Sequence, residues 1–183
     1  MSRISTREIS YVALFTALIA VGAFVAIPLG PVPFTLQPLF VLLAGLMLGA
    51  RLGALSVVAY LILGLMAPVF HNGTSGLGVL LGPTGGYLLG FVLGAMVAGW
   101  VGRAGEVSTG RLVVGGIAGL APIYVLGAAW LAWSLRTTDL SVVLVGGVLQ
   151  FLPFDIIKAV AAGLIAHRLL KSQLGLPADQ RRR

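Results

Sequence analysis

Hydrophobic residues are gathered into six blocks along the chain, and short stretches rich in charged and turn-forming residues separate them. The blocks cover residues 9–27, 36–50, 52–67, 84–101, 112–135 and 141–170. A membrane-spanning helix needs roughly 17–25 apolar residues, so the second and third blocks are the shortest candidates. The pattern predicts an all-α, polytopic membrane protein with six transmembrane helices. It forms one domain over residues 1–183, with a polar tail at about 172–183.

The composition supports a membrane protein and excludes several kinds of functional site. The chain is 58% hydrophobic and 9% charged, whereas soluble domains carry about 25% charged residues. It contains no cysteine, which excludes disulfides, thiolate metal sites and cysteine nucleophiles. The net charge of +7 does not predict nucleic-acid binding, because the charges lie at helix ends and in the tail.

The basic residues are distributed unequally between the two sides of the predicted bundle. Of the 12 basic residues, those on the side of the N-terminus are Arg3, Arg7, Arg51, Arg103, Arg111, Arg168, Lys171, Arg181, Arg182 and Arg183. The opposite side has only Arg136, and Lys158 lies inside the last block. The positive-inside rule therefore predicts that both termini are cytoplasmic.

Two outer loops differ from the short basic connections on the other side. "PLGPVPFTLQP", residues 28–38, holds four prolines and no charge, and residues 68–86 are rich in glycine. Irregular backbone at membrane depth is tolerated only where it is buried in protein or lines a cavity. We therefore expect both loops to fold back against the helices, and the outer face to be the functional face.

The sequence "FDIIK", residues 154–158, places an acid and a base inside the last apolar block. A charge at the bilayer centre costs roughly 2.5–3.5 kcal/mol on insertion scales. Residues three apart share a helix face, so Asp155 and Lys158 are expected to pair near the middle of one helix over residues 141–167, kinked at Pro153. The pair either stabilises packing or belongs to a ligand site. We favour the ligand site, because apolar residues would pack as well.

Further polar residues lie in or beside the outer loops, where they could converge above Asp155. They are Gln37, Asn72, Thr74, Thr84 and Tyr87. Each of them could instead satisfy only its own loop. Asn72 and Tyr87 are the better candidates, because an amide both donates and accepts, and tyrosine offers a flat ring with a hydroxyl.

Small residues recur at helical spacing. Ala13 and Ala17 define such a face on the first predicted helix, and a longer glycine series starts at Gly86 on the fourth. Small residues let helices approach closely. The glycine series is expected to pack internally, whereas the face of Ala13 and Ala17 could serve a partner protein.

The chain offers no motif for catalysis or for a metal. His71 and His167 are the only histidines, and the predicted topology places them at opposite faces, so no histidine-based metal site is expected. HExxH, GxSxG and Walker A sequences are absent. We expect a non-enzymatic binding protein without a cofactor, which relies on another component for energy.

Three segments together carry a family resemblance. "PVPFTLQ" (31–37), "GPTGGYLLGF" (82–91) and "FDIIK" (154–158) resemble BioY, the biotin-binding S component of energy-coupling factor (ECF) transporters. The resemblance covers nearly the whole chain. It implies the ECF S-component fold, with high-affinity biotin capture and uptake across the bacterial cytoplasmic membrane.

The resemblance also implies a site and partners. Asp155 and Lys158 are the expected core of a biotin site near the outer face, capped by the first outer loop. Asn72, Gln37 and Tyr87 are expected contributors. Which end of biotin each residue holds stays open.

The expected partners are a transmembrane coupling (T) subunit and ABC ATPase subunits. Ala13 and Ala17 match the face that such S components present to the coupling subunit. Three alternatives remain at this point: an S component for another vitamin, a structural or assembly membrane protein, and an intramembrane enzyme.

Overall fold

The computed structural model describes residues 4–172, and most of these are helical. The helices are α1 (Thr6–Phe24), α2 (Gln37–Leu48), α3 (Ala50–Met66), α4 (Leu77–Leu81), α5 (Gly85–Gly102), α6 (Thr109–Ser134), α7 (Leu140–Leu144) and α8 (Leu152–Lys171). Two short strands, β1 (Ala26–Pro28) and β2 (Pro33–Thr35), follow α1. The predicted polar tail beyond residue 172 lies outside the described residues.

Several helical stretches are long and apolar enough to cross a membrane. Five are found among residues 4–172: Thr6–Phe24, Ala50–Gly73, Gly85–Gly102, Thr109–Ser134 and Leu140–Lys171. The second predicted block corresponds to α2, which has 12 residues. Most of α2 is buried, from Gln37 to Leu48, so its apolar residues contact protein on nearly all sides.

Glycines allow α5 to pack closely against α6. A Cβ atom at Gly90 would lie 2.9 Å from the Cα of Ile123, and one at Gly94 would lie 2.9 Å from the carbonyl oxygen of Gly119. No larger residue fits there without a backbone shift. The prediction that the glycine series packs internally is confirmed.

The proline-rich loop over residues 28–38 takes part in a small antiparallel hairpin that the sequence did not predict. Ile27 pairs with Phe34 in its register, and Gly30 in the turn has a φ of 107°, which favours glycine. A hydrogen bond of 3.1 Å from the Leu36 N–H to the Gly22 carbonyl ties the end of the hairpin to α1. The proline-rich loop is therefore ordered against the helices.

The last apolar block is not the single helix that was predicted. A π-helical segment, Val145–Leu149, follows α7, and α8 begins only at Leu152. Pro153 lies in the first turn of α8, where its missing N–H has no intrahelical partner to lose. The expected kink is thus a full break just ahead of Pro153. Asp155 consequently lies in the first turn of a helix, not near a helix centre, and there the helix dipole favours a negative charge.

Candidate functional site

A cavity lies beneath the hairpin, between α2, α5, α6 and α8. The space that the centres of water molecules can occupy in it is about 50 Å³. Its polar and aromatic lining includes Phe34, Thr35, Gln37, His71, Thr84, Tyr87, Phe91, Tyr124, Phe151, Asp155 and Lys158. The cavity therefore joins apolar walls to a small number of polar groups, as small-molecule sites do.

Asp155 is hydrogen-bonded to two other residues that line the cavity. Its Oδ2 accepts a hydrogen bond of 2.7 Å from the Tyr124 hydroxyl, and its Oδ1 accepts one of 2.7 Å from Lys158 Nζ. The side chain is buried. Each carboxylate oxygen can accept more than one hydrogen bond, so Asp155 retains capacity for a ligand donor.

Lys158 is buried, and its ammonium group makes three contacts. In addition to its ion pair with Asp155, Nζ donates a 2.6 Å hydrogen bond to the Thr35 carbonyl. It also lies 3.7 Å from the centre of the Phe34 ring, a cation–π distance. An ammonium group has three donors, and these three contacts account for them.

Further contacts hold the hairpin against the last two helices. Phe34 packs edge-on against Phe154, with ring centres 5.5 Å apart. Gln150 Nε2 donates to the Leu29 carbonyl at 3.3 Å and to the Gly146 carbonyl at 2.6 Å. The hairpin therefore covers the cavity through contacts to residues on both sides of the helix break.

Tyr87 lines the cavity, but its hydroxyl is hydrogen-bonded to the backbone of the π-helical segment. The hydroxyl donates a 2.8 Å hydrogen bond to the Gly147 carbonyl in the π-helical segment. The Tyr87 ring lies against Gly127, where a Cβ would overlap it, and it meets the Tyr124 ring edge-on with centres 6.5 Å apart. Tyr87 thus offers the cavity its ring.

Gln37 also reaches the cavity. Its Nε2 donates a 2.8 Å hydrogen bond to the Tyr60 hydroxyl, which in turn donates at 3.3 Å to the Val69 carbonyl. This buried chain of hydrogen bonds connects α2 to the loop that follows α3, and it orients the Gln37 amide.

The glycine-rich loop over residues 68–86 presents a different residue to the cavity from the predicted one. Asn72 is exposed, adopts a φ of 55°, and does not line the cavity. Its neighbour His71 does line the cavity. Thr84 lines it too, whereas Thr74 is exposed and donates a 2.8 Å hydrogen bond to the His71 carbonyl. The structure therefore brings Gln37, Tyr87, Asp155 and Lys158 together and leaves Asn72 outside.

Ala13 and Ala17 are both exposed on α1. Neither lines the cavity. Their face is thus separate from the candidate site and available to lipid or to another protein.

Sequence reasoning missed Tyr124, Phe34 and the Thr35 carbonyl. Tyr124 gave a weak signal, because it is the one hydroxyl-bearing side chain between Leu112 and Trp133. The other two depend on where the hairpin lies, and nothing local in the sequence indicates that.

The fold and the cavity define a multi-helix membrane protein that encloses a small, partly polar binding site with a buried ion pair. A sequence model of the BioY family matches residues 1–174. The chain belongs to the BioY family.

Related proteins are similar to this chain over most of their own length. The chain is 47% identical to the biotin transporter BioY of Thermotoga maritima over 169 residues, covering 92% of this chain and 98% of that protein. It is 45% identical to the probable biotin transporter BioY of Pyrococcus horikoshii over 164 residues, covering 89% and 96%. It is also similar to the crystal structure of the S-component for biotin from an ECF-type ABC transporter. That match has a TM-score of 0.80 and 32% identity, and it covers 90% of each chain.

Proposed function

We propose that this protein captures biotin with high affinity and carries it across the membrane as the substrate-binding S component of an ECF-type transporter. Family membership and the two BioY relatives support the assignment. The observation that carries it is the buried Asp155 carboxylate, held by Tyr124 and Lys158 in a cavity with aromatic walls.

The chemistry of biotin fits that arrangement. Biotin has a ureido group with two N–H donors and a carbonyl, a fused apolar sulfur ring, and a valerate chain that ends in a carboxylate. In our proposal Asp155 accepts a ureido N–H, and Phe91, Phe151 and the Tyr87 ring pack against the apolar rings. A hydrogen bond to a charged group contributes roughly 1.5–3 kcal/mol.

Lys158 acts in this scheme as a positioning residue. Its donors are directed to Asp155, to the Thr35 carbonyl and to the face of Phe34. It pairs with the Asp155 carboxylate in an apolar setting and holds the hairpin in place. Gln37 borders the ligand, and Asn72 stays a prediction.

The hairpin serves as the cover of the site. The space open to water centres is about 50 Å³, enough for only a few waters at roughly 10–15 Å³ each. Biotin has sixteen non-hydrogen atoms and needs more room. In our proposal the hairpin shifts so that biotin can enter and leave.

The topology is part of the proposal. The protein spans the membrane six times with α2 as the short, buried span, and both termini are cytoplasmic, which places the basic connections inside. The membrane is the bacterial cytoplasmic membrane. The chain has no ATPase site of its own and works with a transmembrane coupling subunit and ABC ATPases, and the exposed face of Ala13 and Ala17 contacts the coupling subunit.

A ligand panel tests the function. The purified full chain in detergent is melted with biotin, thiamine or riboflavin. Biotin alone should raise the melting temperature, because a ligand at 100 times its Kd adds about 2.7 kcal/mol of stability. A shift with thiamine or riboflavin instead of biotin would identify another vitamin as the substrate, and no shift with any of the three would reject biotin binding.

A further inference from the structure

Among the residues that line the cavity, His71 has a ring nitrogen that makes no hydrogen bond. It lies in the 3-10 turn His71–Gly73 between α3 and α4, and it lines the cavity. Its Nδ1 atom is buried and has no hydrogen-bond partner. More than nine in ten buried polar groups have such a partner, so the His71 imidazole has an unused polar atom beside the cavity.

The other ionisable groups of the cavity leave no positive charge for a ligand anion. Asp155 and Lys158 neutralise each other at 2.7 Å. The hydroxyl of Tyr124 donates to Asp155, and that of Tyr87 donates to the Gly147 carbonyl. The valerate carboxylate of biotin therefore needs a cationic or donor group beyond this pair.

The elements around His71 add no competing charge. The turn packs against α1 near Phe24, whose ring would lie 3.9 Å from a Cβ at Gly73. The charged residues of α1, Arg7 and Glu8, are at the opposite end of that helix. From α3, Tyr60 is engaged by Gln37 and by the Val69 carbonyl.

We propose that His71 receives the carboxylate of the bound ligand, and that it does so as an imidazolium. The inference rests on the proposed function and assigns the second polar end of the same site. Asp155 then binds the ureido end and His71 the carboxylate end, so one cavity recognises both polar ends of biotin. His71 is accordingly the residue that distinguishes a free carboxylate from a neutral amide.

The pairing makes binding depend on pH. Burial lowers the pKa of the His71 imidazole below its ordinary value, and a carboxylate ligand is ionised throughout the range from pH 6 to 8. Because the anion binds the protonated ring better, biotin binding takes up a proton, and its Kd rises as pH increases through this range. A neutral ligand has no such dependence.

The test compares biotin with biotinamide, which lacks only the charge at the valerate end. Dissociation constants are measured for both ligands at pH 6 and pH 8, using the purified full chain, H71N, H71Q and, as a matched control in the same exposed loop, S75A. The wild-type chain and S75A should bind biotin about tenfold more tightly than biotinamide at pH 6, as expected for one charge-assisted hydrogen bond. At pH 8 the preference should shrink.

H71N and H71Q should bind both ligands about equally at both pH values, because neither side chain can carry the positive charge. Biotinamide reports whether each variant has retained its site. If the variants keep the wild-type preference and pH dependence, His71 does not hold the carboxylate, although biotin binding itself stands. If the wild-type chain binds neither ligand, the proposed function fails, and this inference fails with it.

Discussion

Tyr124 and Asp155 are joined by a 2.7 Å hydrogen bond that connects α6 to the first turn of α8. They are 31 residues apart in the sequence. The hydroxyl donates to Oδ2, while Lys158 donates to Oδ1, so the two donors hold opposite oxygens of one carboxylate. This geometry fixes the orientation of the Asp155 carboxylate, which lines the cavity.

Replacing Asp155 by Asn should weaken biotin binding by about 10- to 100-fold, since a hydrogen bond to a charged acceptor is lost. The variant should still insert into the membrane. Equilibrium binding of labelled biotin to the purified protein measures the change. E106Q, at an exposed acid, is the matched control and should bind like the wild type. Equal affinity in D155N and E106Q would remove Asp155 from the site.

Tyr124→Phe should reduce biotin affinity by about tenfold, because the carboxylate loses the donor that orients it. The decisive measurement is a double-mutant cycle with Asp155→Asn. If Tyr124 acts through Asp155, Y124F should have little further effect in the D155N background. Additive losses would instead mean that the Tyr124 hydroxyl contacts biotin independently.

Lys158→Met should lower the thermal stability, because it leaves the buried Asp155 carboxylate without its counter-ion. Breaking a buried pair in this way costs about 3–5 kcal/mol. The double variant D155N/K158M should recover much of that stability, since neutral residues replace both charges, but it should not recover biotin binding. Melting curves and binding assays on the same preparations separate the two effects. A double variant less stable than K158M would contradict this account.

Gln150→Ala should speed the release of biotin by several-fold, because the variant loses the contact between Gln150 and the Leu29 carbonyl of the hairpin. One neutral hydrogen bond is typically worth about 0.5–1.5 kcal/mol. Chase experiments with unlabelled biotin measure the release rate. T138A, at an exposed position between α6 and α7, serves as the control. An unchanged rate in Q150A would show that this contact does not restrain the hairpin.

The helical core could be predicted from the sequence because its signals are local. Apolar blocks of sufficient length indicate spans, and a spacing of three residues predicts the pairing of Asp155 with Lys158. The break ahead of Pro153 was harder to place. A proline is compatible both with a kink inside a helix and with the first turn of a new helix. The observed π-helical segment is stabilised by a hydrogen bond from Tyr87 to Gly147, two residues that are 60 positions apart.

The cavity depends still more on distant contacts. The hairpin lies where it does partly because Lys158 binds the Thr35 carbonyl across 123 residues of sequence. The choice between His71 and Asn72 follows from the turn that holds them: Asn72 adopts a positive φ, and His71 lines the cavity. Periodicity carries no information on either point, so sequence reasoning identified this loop but not the residue that lines the cavity.

The ion pair between Lys158 and Asp155 has an electrical consequence. Moving one elementary charge through a membrane potential of 100 mV involves about 2.3 kcal/mol of work. The two opposite charges lie 2.7 Å apart, so together they carry almost no net charge through the field. Whatever path the site takes relative to the bilayer, this pair makes only a small voltage-dependent contribution to the energy of transport.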